Sequence, residues 1–367
     1  MAKKRVLIVD DSVVFRRALG DALSRNPGLE VAGSAPNGRT ALMKIPLLHP
    51  EVVILDAETP EMDGLQTLAA IRNTFPEIAV IMLSASNEQG VNATLEALSL
   101  GAKDYVAKPE GGVVSGNLMQ ALSAELAAKI DLFCVDVRDG RRDSSPNLPA
   151  PAGPTTLSTP VIRAATRVDV LAIGVSTGGP NALSDLLSEF PVDFPVPILI
   201  VQHMPSLFTK LLAGRLAAQC KISVAEGRAN QPILPGSAWI APGDFHMTVE
   251  RDGEAVRLRT PQGSPENSCR PSVDVLFRSV AKVYGPRALA VVMTGMGQDG
   301  FRGSQQIRAD GGQVLAQDEA SSVVWGMPGA VVRAGIADQV VSLHDLRAEI
   351  NKRVWLHRSE RRALVVI

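Results

Sequence analysis

The chain has 367 residues, of which 46% are hydrophobic and 20% charged, with a formal net charge of −1. This length predicts roughly two or three domains, and the balanced charge argues against nucleic-acid binding, which usually requires a basic surface. Three cysteines, Cys134, Cys220 and Cys269, are too few and too scattered for a disulfide framework or a zinc site.

The start of the chain, MAKKRVLIVDDS, has too short an apolar run for a signal sequence. No apolar run in the chain approaches the roughly eighteen residues that a membrane span needs. We therefore expect a cytoplasmic protein without direct membrane insertion.

Residues 1–134 alternate short apolar runs with helical patterns. The runs are RVLIV, EVAGS, VVIL, AVIML and DYVA. Continuous hydrophobicity of this kind is typical of strands that are buried on both faces. The pattern predicts a parallel sheet flanked by helices.

Polar residues follow several of these runs. Asp10 and Asp11 end the first strand and Asp56 ends VVIL. Three carboxylates brought together repel one another unless a cation lies among them, and oxygen ligands favour Mg²⁺. Ser84 and Lys108 end two later strands, where they could bind a phosphoryl group on Asp56. Paired aspartates alone more often act as helix N-caps, but the full set at successive strand ends favours a phosphoryl site.

Residues 135–167 are rich in proline, serine, threonine and charge, which predicts a linker that lets two domains move. A second alternation of strands and helices begins with VDVLAIGV and predicts a doubly wound, mostly parallel α/β domain over residues 168–357. Residues 358–367 have no readable pattern and form a separate C-terminal tail in this interpretation.

Three loops of the second domain each carry one possible member of a hydrolase triad. Ser176 lies in IGVSTGGP, His203 in LIVQHMP and Asp299 in VVMTGMGQDG, each after an apolar run. The carboxyl ends of parallel strands share one sheet edge, so these groups can meet there. The first segment fits the G-x-S-x-G pattern of a nucleophile turn, and the order Ser, His, Asp is acceptable because triads are defined by geometry.

Other interpretations of these loops remain open. The glycine-rich turn at Ser176 could bind phosphate or simply close tightly, and GMGQDG could use glycine and aspartate for their turn preferences. The loop of Asp299 also offers backbone N–H groups near Met296 that could hold an oxyanion.

The first domain resembles the receiver domain of bacterial response regulators, on the segments VLIVDDS, VVILDAETPEMDG, MLSAS and YVAKP. Ala57 and Thr59 depart from the usual pattern, which leaves the lifetime of the phosphoryl group open. The resemblance implies a flavodoxin-like fold and phosphorylation by a sensor histidine kinase with Mg²⁺. It implies Asp56 as phospho-acceptor, Asp10, Asp11 and Asp56 as metal ligands, Ser84 and Lys108 as contacts of the phosphoryl group, and Tyr105 as the switch aromatic residue.

The second domain resembles the chemotaxis protein-glutamate methylesterases (the CheB family). The segments are AIGVSTGGP, VQHMPSLFTKLLAGRL, WIAPGDFHM, RPSVDVLFRSVA, VVMTGMGQDGFRG and LAQDEASSVVWGMPGAV. The resemblance implies that Ser176 is the nucleophile, His203 the base and Asp299 the orienting acid, with Thr177 and Met296 at the oxyanion position.

The implied reaction removes methyl esters from glutamates of a methyl-accepting chemoreceptor, releasing methanol without a cofactor, and could extend to deamidation of receptor glutamines. We expect the unphosphorylated receiver to cover the triad edge. The alternatives are a non-catalytic phospho-switched adaptor and a methylesterase for a non-chemotaxis receptor. A DNA-binding output is disfavoured because the second domain is long and rich in apolar strands.

Overall fold

The computed structural model describes residues 3–109, 116–134, 167–356 and 358. Within these residues the chain forms two parallel sheets flanked by helices, together with one antiparallel hairpin. The α/β class and the mostly parallel second domain that we predicted are confirmed. Apart from Arg167 and Arg358, the predicted linker and tail lie outside the described residues.

The N-terminal sheet has five parallel strands in the order β2-β1-β3-β4-β5, and each apolar run that predicted a strand lies in one of them. Helices α1 to α4 each begin at a side chain that accepts a backbone N–H, which satisfies a donor left free by the helix start. The elements are β1 (Lys4–Val9), α1 (Val13–Leu23), β2 (Leu29–Ala35), α2 (Gly38–Leu48), β3 (Val52–Asp56), α3 (Gly64–Thr74), β4 (Ala79–Ser84), α4 (Glu88–Ser99), β5 (Asp104–Ala107) and α5 (Gly116–Phe133).

The C-terminal sheet has seven strands in the order β14-β13-β12-β6-β7-β9-β8, all parallel. The elements are β6 (Val170–Val175), α6 (Gly179–Leu187), β7 (Ile198–Gln202), α7 (Ser206–Gln219), β8 (Ser223–Glu226), β9 (Ser237–Ile240), β10 (Thr248–Asp252), β11 (Ala255–Arg259), α8 (Val273–Tyr284), β12 (Ala288–Val292), α9 (Phe301–Ala309), β13 (Gln313–Gln317), α10 (Met327–Arg333), β14 (Gln339–Val341) and α11 (Leu343–Trp355).

The strand order of this sheet reverses at β6. From β6 the chain first builds outward through β7 and then returns to add β12 on the other side. In open α/β sheets, crevices for ligands form at such a switch point, outside the carboxyl ends of the strands. The loops after β12, β6 and β7 therefore share one crevice, and these loops carry Asp299, Ser176 and His203.

The two domains pack together through α4 and β5 on one side and α6 and α7 on the other. The ring of Tyr105 stacks on that of Phe208 with centroids 4.4 Å apart. At the edge of this contact, Asn181 donates a hydrogen bond to the carbonyl of Leu98 at 2.7 Å. Buried apolar side chains continue from one domain into the other, so the N-terminal domain is held by a packed contact as well as by polar ones.

Across the described residues, none of the helices combines the length and the apolar character that a membrane-spanning segment requires.

Candidate active site

Ser176 lies at the sharp turn between β6 and α6. Gly178 has a φ of 79° in this turn, and a Cβ there would meet Val323 Cγ2 at 2.6 Å. A Cβ on Gly179 would meet the amide oxygen of Gln202 at 1.9 Å. Glycine is therefore required at both positions, by backbone conformation at the first and by close packing at the second. The turn has the form that exposes a serine at the end of a strand.

His203 follows the strand next to that of Ser176. Val175 pairs with Gln202 in the parallel ladder, so the residues that follow them lie side by side. The Gln202 amide crosses the gap and donates a hydrogen bond to the carbonyl of Ser176 at 3.0 Å. From the opposite side, Asp299 accepts a hydrogen bond from His203, with Nε2 and Oδ2 2.8 Å apart. The structure thus brings the three predicted triad residues to one sheet edge.

The Asp299 carboxylate is buried and accepts hydrogen bonds from five further groups, three of them at the start of α8. These donors are the Ser272 hydroxyl at 2.9 Å, the Asn267 amide at 2.9 Å, and the backbone N–H groups of Val273 at 2.7 Å, Asp274 at 3.0 Å and Gly300 at 3.0 Å. Ser272 and Asn267 were missed by sequence reasoning. Because the N-terminus of a helix favours a negative charge, Ser272 at the start of α8 was the sequence signal that a carboxylate could bind there.

Opposing effects set the protonation of this pair. Burial disfavours the Asp299 carboxylate, but hydrogen bonds from His203 and from the backbone outweigh it and lower the pKa of Asp299 to about 2. Burial also disfavours the charged imidazole, yet hydrogen bonds to Asp299 and Cys269 raise the pKa of His203 to about 9. Both shifts favour an imidazolium beside a carboxylate, so the imidazole must lose its Nδ1 proton before it can act as a base.

The remaining ring nitrogen of His203 faces a cysteine. Cys269 Sγ lies 3.7 Å from His203 Nδ1, whereas no hydrogen bond between the Ser176 hydroxyl and His203 occurs among the described residues. The His–Asp link of the candidate triad is therefore formed in this structure and the Ser–His link is not. Catalytic hydrogen bonds of this kind commonly tighten only when substrate binds.

Two backbone N–H groups beside Ser176 are available as donors. Within the part of the chain that the structure describes, the N–H groups of Thr177 and Met296 make no hydrogen bond. Both residues lie in loops next to the candidate nucleophile, and the Met296 side chain is exposed. Free, fixed donors at this place can stabilise an oxyanion.

A cavity of about 550 Å³ opens onto this edge between the two domains. Its lining includes Ser176, Thr177 and His203 from one domain and Asp104 and Tyr105 from the receiver. The Thr177 hydroxyl donates a hydrogen bond to Asp104 Oδ2 at 3.3 Å. The receiver thus contacts the residue directly after the candidate nucleophile.

The predicted phosphoryl site lies at the carboxyl edge of the receiver sheet. Carboxylate oxygens of Asp10, Asp11 and Asp56 lie within 4.8 Å of one another. Lys108 Nζ lies 2.6 Å from Oδ2 of both Asp10 and Asp56. Burial raises the pKa of Asp56 to about 6, against the opposing effect of Lys108.

These carboxylates fit a magnesium ion. They offer oxygen ligands only, which Mg²⁺ prefers. Asp10 Oδ2 is buried and, although it is paired in charge with Lys108, has no hydrogen-bond donor aligned with it. A cation bound among the three carboxylates would coordinate this oxygen directly.

The other predicted receiver residues lie in two places. Ser84 ends β4, and its buried hydroxyl donates to the carbonyl of Gly90 at 3.3 Å. Tyr105 points away from this site into the domain interface, where Lys129 Nζ lies 5.8 Å from its ring centroid. The aromatic residue therefore lies between the N-terminal domain and the sheet edge that carries Ser176.

Comparison with known proteins agrees with this architecture. Residues 171–350 match the family described as CheB methylesterase, and residues 6–122 match the response regulator receiver domain. A protein-glutamate methylesterase/protein-glutamine glutaminase of Trichodesmium erythraeum is 50% identical over 96% of this chain and 100% of its own length. A protein of the same description from Nocardioides is 46% identical over 96% of both chains.

Among solved structures, the CheB methylesterase catalytic domain of Thermotoga maritima is 37% identical with a TM-score of 0.50. The match covers 52% of this chain and 100% of the solved domain. Two domains in the same order, matched over nearly full length at this identity, confirm the resemblance found in the sequence. The chain belongs to the CheB methylesterase family, with a receiver domain ahead of the methylesterase domain.

Proposed function

We propose that this protein hydrolyses γ-glutamyl methyl esters on the cytoplasmic helices of a methyl-accepting chemoreceptor and releases methanol. The main support is the hydrogen bond between His203 Nε2 and Asp299 Oδ2, at 2.8 Å. This pair lies beside Ser176, at the carboxyl ends of adjacent strands. The relatives from Trichodesmium and Nocardioides are named protein-glutamate methylesterase/protein-glutamine glutaminase, which supports the methylesterase part of the assignment.

In this mechanism Ser176 Oγ attacks the ester carbonyl while His203 Nδ1 takes the hydroxyl proton. The same nitrogen then protonates the departing methoxide. Methanol leaves, and the glutamyl acyl group remains attached to Ser176. Water attacks the acyl group, gives its proton to His203 and frees the glutamate, after which the imidazole returns the proton to Ser176. Asp299 holds the proton on Nε2, which leaves Nδ1 as the exchanging nitrogen.

The Thr177 and Met296 N–H groups would stabilise the negative oxygen of the tetrahedral intermediate. Each such donor contributes roughly 3–4 kcal/mol in comparable sites. The same steps on a primary amide would release ammonia and convert a receptor glutamine to glutamate, and the names of both relatives include a protein-glutamine glutaminase.

The receiver would control access to this site. In the proposal, Asp56 accepts a phosphoryl group from a sensor histidine kinase. Lys108 and Ser84 contact that group, and Asp10, Asp11 and Asp56 hold Mg²⁺. When bound, the ion would neutralise charge on the transferring phosphoryl group. Packing of the receiver on the catalytic edge, with Thr177 bonded to Asp104, supports a resting state in which the receptor helix is kept out.

The domain assignment that goes with this function is a receiver at residues 1–134, a linker at 135–167, a catalytic domain at 168–357 and a tail at 358–367. Phosphorylation would shift the balance between covered and open arrangements. A shift of the open-to-covered ratio from 1:99 to 99:1 needs about 5.5 kcal/mol of differential stabilisation. A single phosphoryl group need not supply that much, so we expect phosphorylation to activate the enzyme only partially.

The decisive measurement is methanol release from methylated receptor membranes by wild type and Ser176→Ala, each treated with a small-molecule phosphodonor. The wild type should release methanol, and the variant should be slower by several powers of ten. Equal release by both proteins would remove Ser176 from its role.

The unformed Ser176–His203 hydrogen bond is the one observation that favours a non-catalytic adaptor. A serine-directed fluorophosphonate probe separates the two functions. Labelling of Ser176 without methanol release would indicate an esterase for a different receptor. Absence of labelling in the phosphorylated protein would favour the adaptor.

A further inference from the structure

Cys269 occupies a position that the proposed mechanism leaves without a role. Its sulfur lies 3.7 Å from His203 Nδ1, in the wall of the cavity that contains Ser176. Because Asp299 holds Nε2, Nδ1 is the only ring nitrogen that can take the serine proton. In the resting structure this nitrogen faces the thiol.

A tight turn of the backbone before Cys269 holds the cysteine beside His203. Glu266 and Cys269 exchange two backbone hydrogen bonds, at 3.0 and 2.9 Å, which closes a two-residue turn. The residues at its tip, Asn267 and Ser268, both have positive φ, at 53° and 61°. This conformation is uncommon for residues other than glycine, although asparagine adopts it more readily than most, so the strain of the turn falls mainly on Ser268.

The same turn also contacts the acid of the candidate triad. The Asn267 amide donates to Asp299 Oδ1 at 2.9 Å and to Asp274 Oδ2 at 2.9 Å. One short segment therefore presents a partner to each member of the His203–Asp299 pair. This arrangement fixes the sulfur relative to the imidazole ring.

We propose that Cys269 is a positioning residue of the base. Its sulfur is the hydrogen-bond partner of His203 Nδ1 in the resting enzyme, and it sets the pH at which that nitrogen becomes free to accept the Ser176 proton. The inference rests on the proposed roles of Ser176 and His203. When the ring carries two protons, Nδ1–H donates to the sulfur. When the ring is neutral, the thiol donates to Nδ1 and competes with the serine hydroxyl.

Cys269 also raises the pKa of His203, in the same direction as Asp299 and against the effect of burial. Removing the sulfur should therefore let the imidazole lose its proton at lower pH. The other charged groups that line the cavity or contact Asp299 are Asp244, Arg270, Asp274, Asp104, Glu125 and Lys129. These groups are shared by wild type and variants, so the difference between the proteins isolates the sulfur.

The test is a titration of the full-length protein with labelled histidine ring nitrogens, followed by NMR. The chain has five histidines, and the signal of His203 is assigned by its loss in His203→Gln. We expect the His203 midpoint to fall by about one pH unit in Cys269→Ala, with Cys269→Ser between the two because a hydroxyl retains a weaker partner. Cys220→Ser, which changes a cysteine at the end of α7, is the matched control and should not move it.

Midpoints equal to wild type in both Cys269 variants would overturn the proposal. This titration uses no substrate, so it remains decisive even if methanol release fails and the proposed function is wrong. Where the esterase is active, the acid limb of kcat/KM should move by the same amount as the midpoint. A uniform loss of rate at every pH, with an unmoved limb, would instead assign Cys269 a purely structural role and contradict the proposal.

Discussion

The Thr177 hydroxyl of the catalytic domain donates a hydrogen bond to the Asp104 carboxylate of the receiver, across 3.3 Å and between residues 73 positions apart in the chain. Asp104 is buried and is also paired with Lys129 at 2.6 Å. The receiver therefore places the Asp104–Lys129 ion pair beside the turn where the oxyanion would develop. This contact holds the receiver over the site.

Replacement of Asp104 by alanine should raise the basal esterase rate. The change removes one partly buried hydrogen bond across the interface, together with the ion pair that Asp104 makes with Lys129 inside the receiver. An interface contact worth about 1 kcal/mol corresponds to roughly fivefold in an equilibrium between covered and open states. Methanol release without a phosphodonor measures this effect. Lys210→Ala is the control, because its ion pair with Glu88 is long, at 3.9 Å, and exposed, and such pairs contribute little. An unchanged basal rate in Asp104→Ala would show that this contact does not restrain the site.

Ser272→Ala should reduce activity by weakening the support of Asp299. A hydrogen bond to a charged group contributes about 1.5–3 kcal/mol, so we expect a loss of about tenfold or more in kcat/KM, with a comparable loss of stability. Ser279→Ala is a matched control on the same helix, since its hydroxyl donates to Leu276 and accepts from Val249, away from Asp299. If both variants lose activity equally, the effect belongs to the helix and not to the carboxylate.

The His203–Asp299 pair should stabilise the fold within a limited pH range. The raised pKa of His203, about 9, gives stabilisation that is complete below the unfolded value near 6.5 and is lost as pH rises through 9. The lowered pKa of Asp299, about 2, gives stabilisation that is present above 3.8 and is lost as pH falls through 2. The window therefore extends from about pH 4 to 6.5, with a contribution of about 3 kcal/mol from the histidine.

Chemical denaturation of wild type and His203→Gln between pH 5 and 9.5 measures this contribution. The difference in unfolding free energy should shrink as pH rises toward 9, whereas esterase activity should increase over the same range because the base must be neutral. A difference that stays constant with pH would contradict the ion-pair description.

Asp56→Asn should stabilise the receiver at neutral pH. The folded-state pKa of Asp56 is raised to about 6, so its ionisation disfavours the fold as pH rises through that value. The asparagine variant should be more stable by about 3 kcal/mol above pH 6 and equal to wild type below pH 4. Lys108 keeps Asp10 as its partner in this variant.

Mg²⁺ provides a second readout of the same site. The ion should raise the melting temperature of wild type more than that of Asp56→Asn, because the variant has lost one carboxylate ligand. Equal shifts in the two proteins would remove Asp56 from the metal site. Ca²⁺, which tolerates longer and more flexible coordination, is the control cation.

Much of the fold was predictable from local sequence. Runs such as VVIL and ALAVV are apolar throughout, and a strand buried on both faces in a parallel sheet requires that composition. The positions of Asp56, Ser176 and His203 followed from the same pattern, because each is polar and comes within two residues of the end of such a run. The chain alone thus determined which strands exist and which polar groups lie at their carboxyl ends.

The tertiary structure decided which groups those ends meet. Ser272, Asn267 and Cys269 come from a segment without periodicity, and they reach Asp299 and His203 across 27, 32 and 66 positions of the chain. No local preference encodes such distances. They depend on how a turn with two residues at positive φ packs beneath the sheet edge.

The contact of Asp104 with Thr177 has the same origin. In the sequence, Asp104 starts a short strand and Thr177 follows a candidate nucleophile, and neither position indicates the other. Their meeting depends on the packing of Tyr105 on Phe208 and of α4 on α6 and α7. Sequence determined the chemistry that each domain contains, because apolar pattern and strand ends are local properties. Only the packing of one domain on the other decided which residues face the catalytic edge.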